Sequence, residues 1–261
     1  MKKTVIFVVT LLMITALGLN NAQAQQTFED AIMQGKKLLK KGMNTYDENT
    51  LLQGRSLFER LLMKEEKQDL IHYYVGYADY RLSIKYLQSN NLEEAKKYLD
   101  DGITHLEKCL DVNDKFAEAH ALVSSLYGQK IMYDMSQAMV LGQLANASMK
   151  TAKLQEPENP RIAMLDAISM YFTPAEYGGS KENGYATMDK ALKYFTTFKP
   201  EEKIFPDWGQ AEAYSFLAFW QIADGDTTSA VKNLDKALEL EADYGWANEI
   251  KASLKDNPKK E

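Results

Sequence analysis

The chain has 261 residues, with 31 Lys and Arg against 37 Asp and Glu and a net charge of −6. That acidic balance favours solubility and argues against nucleic acid or an anionic membrane as the main partner. One cysteine, Cys109, leaves no internal disulfide, so the fold must stand on its apolar core.

In chain order, the first element is a leader. Lys2 and Lys3 precede an apolar run from Val5 to Leu19, broken by Thr10, Thr15 and Gly18, and Ala22-Gln23-Ala24 supplies small residues where a signal peptidase reads. This is the three-part pattern of a secretory signal. The run is shorter than the roughly 20 apolar residues a spanning helix needs. We therefore expect residues 1–24 to be a cleaved signal peptide, with a periplasmic mature chain, net charge −8, and no membrane insertion after cleavage. Residues 25–255 are expected to form one helical repeat domain and residues 256–261 a flexible tail.

All six prolines, at 157, 160, 174, 200, 206 and 258, fall in the second part of the chain, so long helices can run uninterrupted before Pro157. Apolar residues recur at helical spacing and no period-2 run stands out, which predicts an all-α fold. Each leading helix carries a small residue, at Gly35, Gly76, Ser124, Ala167 and Ala218. Return helices carry Gly54/Phe58/Leu61, Gly102/Leu106/Cys109, Ala145/Met149/Ala152, Gly184/Met188/Ala191 and Ala230/Leu234/Ala237. Small residues at these places let paired helices approach closely. From the last return marker to the next leading marker the spacing is 15 at three joints, and 27 at the fourth, which therefore holds 12 extra residues. Within pairs the spacings are 19, 26, 21, 17 and 12, so helices or turns are lengthened in the earlier pairs.

The unit Ala211 to Tyr244, with Tyr214, Leu217, Ala218 and Gln221, an Asp224-Gly225-Asp226 turn, and Ala230, Leu234 and Ala237, resembles the 34-residue tetratricopeptide repeat. The resemblance implies an irregular α-α superhelix of about five helix pairs, closed by a capping helix from Tyr244 to about Lys255. Asn159-Pro160-Arg161, Phe172-Thr173-Pro174, Tyr177-Gly178-Gly179-Ser180, Phe198-Lys199-Pro200 and Pro206-Asp207-Trp208-Gly209 look like a family of exported tetratricopeptide proteins from Bacteroidota. That second resemblance implies a periplasmic helical repeat and no assigned activity. A fainter similarity is to the periplasmic repeat subunit of some substrate-binding transporters.

Candidate chemistry is sparse. His72 and His120 share a leading-helix position, which points to packing, and His105 is expected on a solvated face. Zinc needs three or four converging ligands, and no cysteine or spaced acid pair joins the histidines, so no metal and no cofactor is expected. Cys109, at a small-residue position, reads as a buried inert thiol. Gly178-Gly179-Ser180 lacks the spacing of a phosphate-binding loop and reads as a turn with Ser180 capping the next helix. Glu93-Glu94, Asp100-Asp101 and Glu201-Glu202 read as solvated helix faces, and no catalytic residue is assigned.

The tyrosines are more informative. In tetratricopeptide proteins, positions 2, 5, 9 and 12 of each leading helix line the concave face. That register places Tyr73, Tyr77, Tyr80, Met164, Ile168, Tyr171 and Phe219 there. Aromatic side chains with a polar end suit a surface that is part apolar and part wet. The expectation is a concave aromatic groove that docks a partner protein or extended peptide, in a non-catalytic scaffold or adaptor. Lengthened helices folding over the face would bury it instead. An alternative function is a ligand-binding accessory subunit of a periplasmic transport system.

Overall fold

The structure, a computed structural model, describes residues 27–256. The leader expected at 1–24 and all but the first residue of the tail expected at 256–261 lie outside the described residues. Helix α1 occupies residues 27–44. It is followed by α2 (Glu48–Leu61), α3 (Gln68–Gln88), α4 (Leu92–Val112), α5 (Ala117–Tyr133), α6 (Ala138–Gln155), α7 (Pro160–Phe172), α8 (Lys181–Thr197), α9 (Gln210–Ala223), α10 (Thr227–Leu240) and α11 (Gly245–Asp256). No strand occurs among the described residues. Five antiparallel pairs and a capping helix result, in the order the marker spacings predict. The longest pair, α3 and α4 at 21 residues each, is the one with the widest internal spacing.

Local chemistry sets the helix starts. Asp47, Asn91, Asn159, Ser180 and Asp226 each accept a backbone N–H of the first turn of the following helix. These caps satisfy amides that have no partner inside the helix. Pro160 follows its cap at the first helical position, where a missing N–H costs nothing. The 178–180 turn is as expected: Gly178 has φ +92°, and a Cβ on Gly179 would lie 1.7 Å from the Thr173 carbonyl oxygen.

The small markers lie where helices meet. A Cβ on Gly76 would be 2.7 Å from Leu106 Cγ, and one on Gly102 would be 3.0 Å from Leu126 Cδ1. A Cβ on Gly35 would be 2.5 Å from Phe58 Cζ. Ser124 Oγ donates to the Ala145 carbonyl at 2.8 Å, joining the two markers of the third pair. Cys109 is fully buried, and burial pushes its thiol pKa up, as an inert packing thiol requires.

The superhelix closes on itself. Asn44 at the end of α1 donates to Glu241 Oε2 at 2.9 Å and to Asp243 Oδ1 at 3.0 Å, and Lys40 pairs with Glu241 at 3.1 Å. A Cβ on Gly245 would lie 2.6 Å from the Asn44 carbonyl oxygen. Across the interior, Arg81 of α3 forms a bidentate pair with Glu212 of α9, its Nη1 donating at 2.6 Å. The leading helices face inward around a large apolar core with members from Phe28 to Trp220, and a second, smaller cluster, with Ala211, Ala218, Leu234, Tyr244 and Ala247, joins α9, α10 and α11.

Candidate functional site

The 12 extra residues of the fourth joint explain what fills the interior. They belong to the segment 198–209, between α8 and α9, which crosses the inward faces of α1, α3 and α7. Lys36 Nζ donates to the carbonyls of Lys203 at 2.6 Å and Phe205 at 2.7 Å, and pairs with Asp207 at 3.2 Å. Tyr74 Oη donates to the Ile204 carbonyl at 2.6 Å. The Trp208 indole N–H donates to Tyr73 Oη at 3.0 Å, and its ring stacks on Tyr77 at 4.7 Å. Arg81 lies 5.0 Å above the Trp208 ring, and Arg161 lies 4.6 Å above Phe198. Ile204 and Pro206 are buried while Lys203 and Asp207 are exposed. The backbone bends and turns over residues 201–205, the Phe205 N–H donating to the Glu202 carbonyl at 3.1 Å, and runs without regular structure from 206 to 209.

The sequence-derived site set divides here. Tyr73, Tyr77 and Tyr80 do share α3, but they are 0, 4 and 4 % exposed, and Met164 is fully buried. The open groove expected at these four residues is corrected: Tyr73 and Tyr77 carry Trp208, and Tyr80 is sealed beside the Arg81 guanidinium, 4.9 Å from its ring. Burial raises the phenol pKa of all three tyrosines, to about 12 for Tyr80. The cover is the joint insertion rather than lengthened helices. Tyr171 is also buried, 8 % exposed and stacked on Trp220, so the open position expected there is corrected as well; Ile168 is half-buried and Phe219 is exposed.

Charge inside the face is paired. Arg161 of α7 donates to Glu118 of α5, Nε to Oε2 at 2.8 Å, and Tyr73 Oη donates to the same carboxylate at 3.2 Å. Glu118 and Arg161 are second residues of their helices, and Glu212 is the third of α9, so the face starts with a charged tier. Burial lowers the Lys36 pKa, opposed by Asp207. Two buried polar atoms here have no partner, Asn44 Oδ1 and Arg81 Nε. A cleft of about 40 Å³, room for a water or two, opens among Lys36, Asn44, Asp207, Trp208 and Tyr244.

Beyond the charged tier lies an aromatic run that periodicity alone did not single out. Tyr171 stacks on Trp220 at 4.2 Å, with Phe172 and Tyr185 edge-on to the same indole. Phe216 links Trp220 to Trp246 of α11, and Phe219 lies 6.1 Å from Trp246. Trp220 is fully buried with its indole N–H unpartnered, while Phe172 and Phe219 are 54 and 42 % exposed. The FWxxA spacing of Phe219 and Trp220 beside Trp246 was the available signal, obscured because their meeting depends on repeat stacking.

His72 and His105 face each other, Nδ1 to Nδ1 at 2.9 Å, so His105 is half-buried in a pair rather than on a solvated face. Burial, with the neighbouring His72, lowers the His105 pKa to about 4. His120 Nε2 meets the Asp114 carbonyl at 2.9 Å. Among the described residues, no group of three or more His, Cys, Asp or Glu is arranged to hold a metal ion, and no helix is long and apolar enough to cross a membrane.

No family model matches the chain, and no curated protein is similar to it in sequence. Among solved structures, it is similar to the HusA haemophore from Porphyromonas gingivalis, with TM-score 0.61 and 19% identity over 76% of this chain and 93% of that one. It is also similar to a thermophilic TPR protein from Thermus thermophilus, with TM-score 0.53 and 19% identity over 84% of this chain and 97% of that one. At such identities the likeness speaks for architecture, and the architecture is a tetratricopeptide-like α-α superhelix.

Proposed function

We propose that this chain is a non-catalytic periplasmic scaffold or adaptor that docks a partner protein or peptide on the open aromatic part of its leading-helix face. The observation that carries the reading is the run Phe172–Tyr171–Trp220–Phe216–Trp246–Phe219, a continuous set of rings whose outer members reach solvent. Exposed aromatics on a rigid base are favoured in recognition, because they give large contact area and freeze few torsions. Phe219 and the half-buried Ile168 contribute directly and the buried Tyr171 supports Trp220 by stacking, while Tyr73, Tyr77, Tyr80 and Met164 lie in the core away from this run. The exported address rests on the leader pattern at residues 1–24, and the acidic surface disfavours nucleic acid.

The test is capture by the mature chain from periplasmic extract, repeated with Phe219→Ala and Trp246→Ala. A stoichiometric partner lost in both variants at unchanged melting temperature supports the reading. Capture that persists undiminished in both would sink it.

A second reading is favoured by the same rings: a receptor or accessory subunit of a transport system that stacks a flat apolar ligand. The fold it shares with a haemophore makes haem the first ligand to try. The ring contacts of the run include no histidine, so stacking would carry such binding. Titration with haemin and with metal-free porphyrin, followed by quenching of tryptophan fluorescence, separates the two readings. Saturable 1:1 quenching, abolished by Phe219→Ala, would favour the second.

A further inference from the structure

The segment 198–209 is bound as a ligand is bound. Its carbonyls at 203, 204 and 205 are taken by side chains of α1 and α3, not by backbone, and its own N–H groups make one local bond beyond the end of α8, Phe205 to Glu202. Side-chain recognition of main-chain carbonyls holds the turn at 203–205 whatever its sequence. The buried Ile204 and Pro206 and the indole of Trp208 then add selectivity. The ends are suited to release. Pro200 lies three residues beyond the end of α8, and Gly209 at the start of α9 has φ +111°, a conformation open to glycine.

The fit is also incomplete. Lys36 is buried against the preference of its charge, and the small cleft runs along the Asp207–Trp208 edge, so the segment leaves part of the space beneath it unfilled.

We propose that residues 198–209 are an internal peptide ligand, displaced by a turn-forming segment of a partner protein with the same chemistry: aliphatic, aromatic, proline, carboxylate, indole. The face beneath is complete without the segment. Lys36 receives the main chain and one carboxylate, Tyr74 a carbonyl, and the Tyr77–Arg81 slot a large flat ring. This surface is separate from the α9 aromatic run, so the two can fail independently.

The probe is a fluorescent peptide of residues 198–209, tested against the intact chain and a variant whose residues 199–208 are replaced by a glycine-serine linker of equal length. Anisotropy should show saturable 1:1 binding to the variant. Binding to the intact chain should be weaker by the fraction of molecules with the segment released, roughly ten-fold or more. Adding Lys36→Met to the variant should weaken binding roughly ten-fold again, since it removes three contacts to the segment at once. A folded variant that ignores the peptide, or equal uptake by the intact chain, overturns the proposal. If the variant fails to fold, Trp208→Ala in the intact chain decides: emptying the Tyr77–Arg81 slot should raise peptide uptake, and a folded Trp208→Ala chain with uptake unchanged overturns the proposal. A concentration-dependent dimer of the intact chain that takes up no peptide would mean that a second copy is the occupant, and the partner assignment falls.

Discussion

Replacing glycine by alanine in mid-helix separates close contact from open space with one methyl group. Gly76 in α3 and Gly128 in α5 are both helix-interior, so each change gains about 0.5–1 kcal/mol from reduced chain entropy in the unfolded state and better helix propensity. At Gly128 the new Cβ meets nothing within 4 Å, and the gain stands alone. At Gly76 it would lie 2.7 Å from Leu106 Cγ, 3.0 Å from Leu106 Cδ2 and 3.2 Å from the Gly102 carbonyl oxygen. Leu106 is fully buried and the Gly102 backbone is helical, so neither yields freely. Overpacking of this kind costs about 1–3 kcal/mol. The net expectation is about 1–2 kcal/mol of destabilisation at Gly76 against a smaller stabilisation at Gly128. In a domain of this size each kcal/mol moves the melting temperature about 2–4 °C. Differential scanning calorimetry should show shifts of opposite sign, with Gly102→Leu lower than Gly76→Ala. Gly76→Ala melting as high as Gly128→Ala would refute the close approach of α3 and α4.

Glu212→Gln should destabilise by about 3–5 kcal/mol, because it strands the Arg81 guanidinium in the core; the double change Arg81→Met with Glu212→Leu should recover much of the loss in urea titrations. The His72–His105 pair should give a pH-dependent term. With the folded His105 pKa near 4, the unfolded chain binds more protons below about pH 6.5, so this stability is complete above 6.5 and is lost as pH falls towards 4. Because the ring is half exposed the term is about 1–2 kcal/mol after screening. Asp79, pushed up to about 7 by burial against the pull of Arg55, contributes the opposite slope; the term is therefore read as the difference between the native chain and His72→Gln/His105→Gln. Chelator treatment should leave the melting temperature unchanged, and a fall would point to a structural ion. Intact-mass analysis of exported protein should place the N-terminus at Gln25, and retention of Met1 would contradict the leader reading.

Much of the scaffold was legible because its determinants are local. The 15-residue joints fixed which helices pair, and Ser180 marked a helix start through a cap that acts within three residues. The insertion at the fourth joint was countable, but its resting place was not. What draws residues 198–209 inward is Lys36, about 170 residues earlier, and the α3 tyrosines, about 130 residues earlier. The same holds for His105. Its neighbours along α4 suggested solvent, whereas its partner lies 33 residues away on α3. Periodicity reports which face of a helix is apolar, and Tyr73, Tyr77 and Tyr80 do share one. It does not report whether that face meets solvent or another part of the chain.

Closure of α1 onto the last repeat changes how the molecule should come apart. An open repeat array behaves as a one-dimensional chain of neighbours and frays from its ends. Here Asn44 reaches Glu241 across 197 residues, and Arg81 reaches Glu212 across 131. Either end lost deprives the other of its packing surface, so the two terminal repeats should melt as one with the centre. Such contacts form late, after the entropy of closing nearly the whole chain has been met, which slows folding relative to an open array of equal length. Cooperativity of this kind turns a stack of semi-independent modules into a single thermodynamic unit, in which a substitution near one terminus is felt at the opposite one.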